Sequence, residues 1–223
     1  MLRALIFDFD GLMVDTESPA LRAWQEVYRR HGQELPIGVW AQVIGTNEHR
    51  FDAMEHLEAL HGAPLDRQSL YAVRDQLKTE LTDAQQLLPG VRALVEHADA
   101  SGVKLAVASS SSHLWVDAHL EVRGLLEAFD CIRCRDDVAL TKPYPDLYLA
   151  ALDCLGVAAT EAVVFEDSPN GIAAARAAGI FVVAVPNAIT ATLDLTEANM
   201  RLNSLADLPS AELLAELQER LSS

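Results

Sequence analysis

The sequence is poor in lysine, cysteine and aromatic residues. Lysine occurs three times among 223 residues, at Lys78, Lys104 and Lys142, so arginine carries most of the positive charge. Cysteine also occurs three times and aromatic residues make up 6%. Three cysteines do not form the disulfide framework of a small secreted domain, and we expect them to be reduced in a cytoplasmic protein. Cys131 and Cys134 form a C-x-x-C pair without a following helix start, so we expect ordinary small side chains there.

Basic residues are outnumbered by acidic ones. Seventeen lysines and arginines face 33 aspartates and glutamates, which gives a formal net charge of −16. Such a field repels nucleic acids and anionic membranes, and we expect neither as a partner. No apolar run reaches the roughly 18 residues of a membrane span, and the first residues lack the basic flank of a signal peptide. We expect a monomer or a weak homo-oligomer whose ligand is a small molecule.

The stretch Leu2–Gly11 organises the rest of the chain. Its apolar run predicts a strand that is buried on both faces. The strand ends in Asp8 and Asp10, two carboxylates on one side of an extended chain, followed by Gly11. Each buried carboxylate costs several kcal/mol, roughly, unless something neutralises it. A metal ion together with a reacting substrate would do so.

The spacing of apolar residues in residues 16–85 differs from that in the rest of the chain. Between residues 20 and 81 apolar positions recur every three or four residues, which predicts a small bundle of four helices. Elsewhere strands alternate with helices, which indicates a parallel sheet with helices on both faces. We therefore predict an α/β fold, a Rossmann-like core of residues 1–15 and 86–223 with a helical cap of residues 16–85 inserted into it.

Polar side chains occur at four places in the chain, each just after a predicted core strand or in the loop that follows such a strand. They are Asp8 and Asp10, Ser109, Lys142, and Glu166 with Asp167. In a parallel sheet ligands bind beyond the carboxyl ends of the strands, so we expect these groups to form one site. Oxygen ligands without nearby histidine or cysteine select a hard ion, and Mg²⁺ is the ion that commonly bridges to phosphate. This set of side chains suits phosphoryl transfer.

In these ordered motifs the chain resembles the haloacid dehalogenase superfamily, in particular β-phosphoglucomutase and the small sugar-phosphate phosphatases. The resemblance covers nearly the whole chain, including the helical insertion. It implies that Asp8 is a nucleophile forming an aspartyl-phosphate, and that Asp10 is the general acid and base. It also implies that Ser109 and Lys142 hold the phosphate. Mg²⁺ would be held by Asp8, Glu166, Asp167 and the backbone carbonyl of Asp10.

The sum of the charges expected in the site agrees with the roles that the resemblance implies. A phosphate dianion beside ionised Asp8, Glu166 and Asp167 carries about −5, and Mg²⁺ with Lys142 returns about +3. This excess of negative charge favours the protonated form of a fourth carboxylate nearby, which suits Asp10 as an acid. Lys78 and Lys104 are expected to be solvated.

Several reactions remain open at this point. The resemblance implies a phosphatase on a small phosphorylated metabolite such as a sugar or polyol phosphate, or alternatively a phosphosugar mutase; a non-catalytic protein that keeps the fold is a third reading. Asp10 argues against dehalogenation, and Lys78 is a poor candidate for Schiff-base chemistry on a phosphonate. By an ungapped count, family mutases carry a histidine where this chain has Ala20 and an arginine where it has Glu48. We expect Glu48 and Arg50 to contact the substrate, with Glu48 disfavouring a second phosphate.

Overall fold

The strands of the described residues form one six-stranded sheet in which every neighbouring pair is parallel. The structure is a computed structural model and describes residues 1–40 and 52–222. In that part of the chain the strands follow the spatial order β3-β2-β1-β4-β5-β6. Their bounds are β1 Ala4–Phe7, β2 Lys104–Ala108, β3 Cys131–Arg133, β4 Ala162–Glu166, β5 Phe181–Ala184 and β6 Met200–Arg201. The predicted parallel α/β core is confirmed.

Helices connect these strands and also form the segment between β1 and β2. Described helices in that segment are α1 Glu17–Arg30, α2 Ile37–Trp40, α3 Ala53–His61 and α4 Arg67–Asp83, followed by α5 Val91–Ala100. The later helices are α6 His113–Val122, α7 Asp146–Leu155, α8 Pro169–Ala177 and α9 Ser210–Arg220. Among the described residues no helix combines the length and the apolar character needed to cross a bilayer.

Strand β1 is the centre of the sheet because its side chains are apolar on both faces. Leu5 and Phe7 join a core cluster with residues of α5, α6 and α9, whereas Ala4 and Ile6 join a second cluster with residues of α7 and α8. All four side chains are fully buried. At about 1.5–3 kcal/mol for each large apolar side chain removed from water, this burial fixes the strand between two helical layers.

Helices α1, α3 and α4 pack around an apolar cluster of their own. Trp24, Val27 and Tyr28 of α1 meet Met54 and Leu57 of α3 in this third cluster. The Tyr28 hydroxyl donates to the Ala53 carbonyl at 2.6 Å, which satisfies a buried polar group. The boundary of the cap at residues 16 and 85 stays a prediction.

The expectation about the cysteines was wrong in one respect. The sulfurs of Cys131 on β3 and Cys154 on α7 are bonded, with 6.4 Å between the two Cα atoms, while Cys134 is a buried free thiol. Helix α7 packs directly on β2 and β3, and that packing brings together two residues 23 positions apart. Sequence spacing carries no signal for such a pairing.

Gly90 provides a test of how the chain re-enters the core after α4. Its backbone has φ +87°, and an added Cβ would lie 2.2 Å from the backbone carbon of Leu205. Gly90→Ala therefore adds a backbone clash to the cost of about 1–2 kcal/mol for a left-handed alanine. We expect it to lower the free energy of unfolding by more than about 3 kcal/mol in urea titrations.

Gly102→Ala is the matched control for this prediction. Gly102 has φ +71° and no described atom within 4 Å of the added Cβ. It should lose only the conformational term, about 1–2 kcal/mol. Equal losses in the two variants would show that the contact with Leu205 does not constrain the backbone at Gly90.

Candidate active site

The side chains predicted to form one site do lie together at the carboxyl edge of the sheet. Strand β1 delivers Asp8 and Asp10, and the adjacent β4 ends in Glu166, followed by Asp167. Lys142 comes from the loop before α7. The strand order reverses between β1 and β4, so the carboxylates sit in the crevice where parallel sheets bind ligands.

Lys142 is the cation of this cluster. Its Nζ donates to Asp8 Oδ1 at 2.5 Å and to Glu166 Oε1 at 2.7 Å, and all three side chains are at least nine-tenths buried. The Tyr148 hydroxyl, on the first turn of α7, donates to the same Glu166 oxygen at 2.7 Å. Burial alone would lower the pKa of Lys142, but Asp8 and Glu166 outweigh it and the pKa is raised.

One lysine does not neutralise the buried acids. Burial raises the pKa of Asp8 to about 7 against the opposing effect of Lys142, and Glu166 and Asp10 add to the rise. Burial followed by the charges of Glu166 and Asp8 raises the pKa of Asp167 well above its usual value. The cluster therefore carries more negative charge than its protein surroundings compensate.

Three of these carboxylates could hold a cation. Asp8, Glu166 and Asp167 each offer one oxygen, and the three oxygens lie within 4.8 Å of one another. All three residues are buried. A hard divalent ion fits the chemistry of an all-oxygen donor set and would supply the missing positive charge.

Glu166 is the most rigidly held of the acids. One of its oxygens accepts from Lys142 and Tyr148, and the other accepts from the backbone N–H groups of Asp167 and Ser168 and from the Ser168 hydroxyl. A Cβ on Gly171, at the start of α8, would lie 1.6 Å from Glu166 Oε1. An ion could bind Glu166 only if it replaced one of these hydrogen-bond donors. The role of Glu166 as a metal ligand stays a prediction.

Asp10 is held differently from Asp8. Its Oδ2 accepts from the Ser111 hydroxyl at 2.6 Å and lies 3.4 Å from the Ser109 hydroxyl, which is itself buried. Its Oδ1 accepts from the indole N–H of Trp115 at 3.0 Å. The carboxyl group is thus positioned by donors that all follow strand β2.

A cavity of about 450 Å³ lies over the carboxylates. From the core it is lined by Asp8, Asp10, Ser109, Lys142 and Asp167, among others. From the helical segment it is lined by Glu17, Ala20, Trp40, Arg74 and Lys78. A larger groove of about 640 Å³ lies beside residues 85–90, and no buried carboxylate lines it.

Lys78, which was expected to be solvated, is half-buried. Lys78 lines the cavity, and its Nζ lies 4.7 Å from the ring centroid of Trp115. Helix α4 packs closely on α1, and this places the fourth turn of α4 above the carboxyl edge of the sheet. Lys104 is exposed, as expected, and donates to the Leu155 carbonyl at 2.5 Å. Glu48 and Arg50 lie outside the described residues.

Sequence reasoning missed Tyr148, Asn187 and Trp115. Asn187, in the loop after β5, donates to Asp167 Oδ2 at 2.7 Å and to the Gly11 carbonyl at 3.2 Å. Asn187 follows a strand end, so the rule that located the other site residues could have found it. Tyr148 and Trp115 lie on helices, where an aromatic residue is ordinarily part of the core, and no sequence signal distinguished them.

A sheet edge with buried carboxylates, a lysine and a cavity defines an α/β enzyme site rather than a structural crevice. A family model for haloacid dehalogenase-like hydrolases matches residues 2–179, and the chain belongs to this family. The Bacillus subtilis protein YhcW is 41% identical to it over 99% of this chain and 100% of its own length. Hexitol phosphatase A of Escherichia coli is 32% identical over 91% of each chain.

Solved structures agree with this membership. The chain resembles Rhodobacter sphaeroides CbbY, crystallised with xylulose 1,5-bisphosphate, at 28% identity and a TM-score of 0.72, over 93% of this chain and 96% of CbbY. The protein is a phosphoric monoester hydrolase of the haloacid dehalogenase family.

The raised pKa of Asp8 predicts how the metal-free protein responds to pH. A carboxyl whose folded pKa lies near 7 and whose unfolded pKa lies near 3.8 binds its proton more tightly when folded. Its stabilising contribution is complete below about pH 4 and is lost as the pH rises towards 7. Asp8→Asn does not titrate, so in chelator its melting temperature relative to wild type should rise between pH 4 and pH 8.

Asp153→Asn, an exposed carboxyl on α7, is the control. Its difference from wild type should stay nearly constant across the same pH range. A flat difference for Asp8→Asn as well would contradict the electrostatic description of the buried cluster.

Proposed function

We propose that the protein is a Mg²⁺-dependent phosphatase that hydrolyses a small sugar or polyol monophosphate through an aspartyl-phosphate on Asp8. The observation that carries the proposal is the contact of Lys142 with both Asp8 and Glu166 inside a buried cluster of excess negative charge. The name of the relative hexitol phosphatase A indicates a polyol phosphate as its substrate, and this supports a polyol phosphate as the substrate here.

In this proposal Asp8 attacks phosphorus and the bond from phosphorus to the leaving oxygen breaks. Lys142 orients the Asp8 carboxylate, and Ser109 at the cavity wall binds a phosphate oxygen. Asp10 donates a proton to the leaving oxygen. It then takes a proton from the water that attacks phosphorus, which breaks the bond between Asp8 and phosphorus and releases inorganic phosphate.

Mg²⁺ would be held by Asp8 and Asp167, with the Asp10 carbonyl and Glu166 as the further predicted ligands. When bound, it neutralises charge on the phosphoryl group. Asn187 fixes one oxygen of Asp167 by a hydrogen bond, so that carboxylate is already oriented.

The first test is phosphate release from a panel of sugar, polyol, nucleotide and short-acid phosphates, with Mg²⁺ and with chelator. Wild type should release phosphate only with Mg²⁺. Asp8→Asn should have no measurable turnover, because no other group can form the covalent intermediate. Asp10→Asn should lose about 10²- to 10⁴-fold, the range of acid–base catalysis. Asp153→Asn should match wild type, and turnover by Asp8→Asn would contradict the covalent mechanism.

A phosphosugar mutase is the alternative reaction. Ala20 lines the cavity where family mutases are expected to carry a histidine, which favours transfer to water. Isomerisation of β-glucose 1-phosphate with a bisphosphate activator, without net phosphate release, would replace the proposal by the mutase.

A sugar bisphosphate is a second candidate substrate, and two described cap cations favour it. Arg74 and Lys78 lie one turn apart on α4 and both line the cavity. Among the described residues no acceptor contacts the buried Nε of Arg74. A second phosphate could accept a hydrogen bond from this donor. CbbY, which this chain resembles, was crystallised with a sugar bisphosphate.

Kinetics with a pentulose 1,5-bisphosphate and the matching monophosphate would distinguish the two substrate classes. If the bisphosphate is the substrate, Arg74→Met should lower its kcat/KM about tenfold or more and leave the monophosphate nearly unchanged. If the monophosphate is the substrate, it should be preferred by wild type, and Arg74→Met should not change the preference. Arg22→Met, an exposed arginine on α1, is the control.

A further inference from the structure

The indole of Trp115 is fixed in place beside Asp10. Trp115 lies in the first turn of α6, and its Nε1 donates to Asp10 Oδ1 at 3.0 Å. Its ring is packed edge to face against the buried ring of His119 with 4.2 Å between centroids. The ammonium of Lys78, from α4, lies 4.7 Å from the ring centroid. The indole N–H therefore has little freedom to turn away from the carboxyl group.

The two oxygens of Asp10 have chemically different partners. An indole N–H can only donate, so Oδ1 must act as an acceptor. A serine hydroxyl can donate or accept, and Oδ2 lies 2.6 Å from that of Ser111 and 3.4 Å from that of Ser109. Because the hydroxyl oxygen of a protonated carboxyl is the poorer acceptor, the contact with Trp115 favours the proton on Oδ2.

We infer that Trp115 is a positioning residue that holds Asp10 with Oδ2 as the oxygen that transfers the proton. Oδ2 is on the side of Ser109, which lines the cavity and is the predicted phosphate-binding hydroxyl. The inference rests on the proposed function, since it assigns the proton-transferring atom of the proposed acid and base. In the first step the proton passes from Asp10 Oδ2 to the leaving oxygen as Asp8 displaces it. In the second step the attacking water returns a proton to Oδ2 as the bond from Asp8 to phosphorus breaks.

Lys78 links this arrangement to the helical segment above the cavity. Its cation lies on the π system of Trp115, a contact that is favourable at this distance and increases the positive charge at the indole N–H. Lys78 also lines the cavity. The positioning of Asp10 thus depends on a residue contributed by α4 as well as on the core.

The test compares two aryl phosphates whose leaving groups differ in their need for an acid. Phenyl phosphate releases a phenoxide that requires a proton, whereas 2,4-dinitrophenyl phosphate releases a phenolate that leaves as the anion. Trp115→Phe keeps an aromatic ring for His119 and Lys78 and removes the N–H. We expect its kcat/KM to fall roughly 10- to 100-fold for phenyl phosphate and by less than about threefold for the dinitrophenyl ester.

Two controls separate positioning from damage to the fold. Trp24→Phe makes the same chemical change in a buried tryptophan of the third apolar cluster, and any loss should be equal for both esters. In the Asp10→Ala background Trp115→Phe should have no further effect on phenyl phosphate, because the group that it positions is absent. If Trp115→Phe does not fold, site-specific 3-benzothienylalanine at position 115 replaces the N–H by sulfur in a ring of the same shape.

Equal losses on both esters, or a further loss in the Asp10→Ala background, would overturn the role of Trp115. These outcomes leave the proposed phosphatase intact, because wild type would still release phosphate and Asp8→Asn would not. A wild-type protein that releases phosphate from neither ester nor from the metabolite panel would instead overturn the proposed function, and the inference about Trp115 with it.

Discussion

The contact between Lys142 and two buried carboxylates is the interaction on which the site depends. Two ionised acids buried beside each other at the ends of adjacent strands need a cation, because each costs several kcal/mol, roughly, to desolvate. Lys142 supplies that cation at 2.5 Å from Asp8 and 2.7 Å from Glu166. Lys142 compensates the negative charge of the buried acids only in part, and the raised pKa of Asp8 reflects the charge that is left.

Packing around Lys142 holds its side chain in one position. Strands β1 and β4 are adjacent and parallel, so their carboxyl ends present acids at one edge. Helix α7 packs on β2 and β3, and Tyr148 in its first turn contacts the same oxygen of Glu166 that Lys142 does. A side chain with four rotatable bonds is thereby confined to one position, which costs entropy that the buried charges offset.

The helical segment contributes chemistry as well as cover. Helix α4 brings Arg74 and Lys78 to the cavity, where they add positive charge above a cluster of acids. Lys78 contacts the indole that contacts Asp10, so the core and α4 meet at the predicted acid and base.

The sequence alone determined the sheet, its helical insertion and most of the acids of the site. Alternation and apolar runs specify strands and helices locally, and the ends of parallel strands must meet at one edge, which is why Asp8, Asp10 and Asp167 could be placed together. Tertiary structure alone decided which groups contact them. Trp115, Tyr148 and the pairing of Cys131 with Cys154 depend on how helices pack across tens of residues, and no local period encodes those contacts.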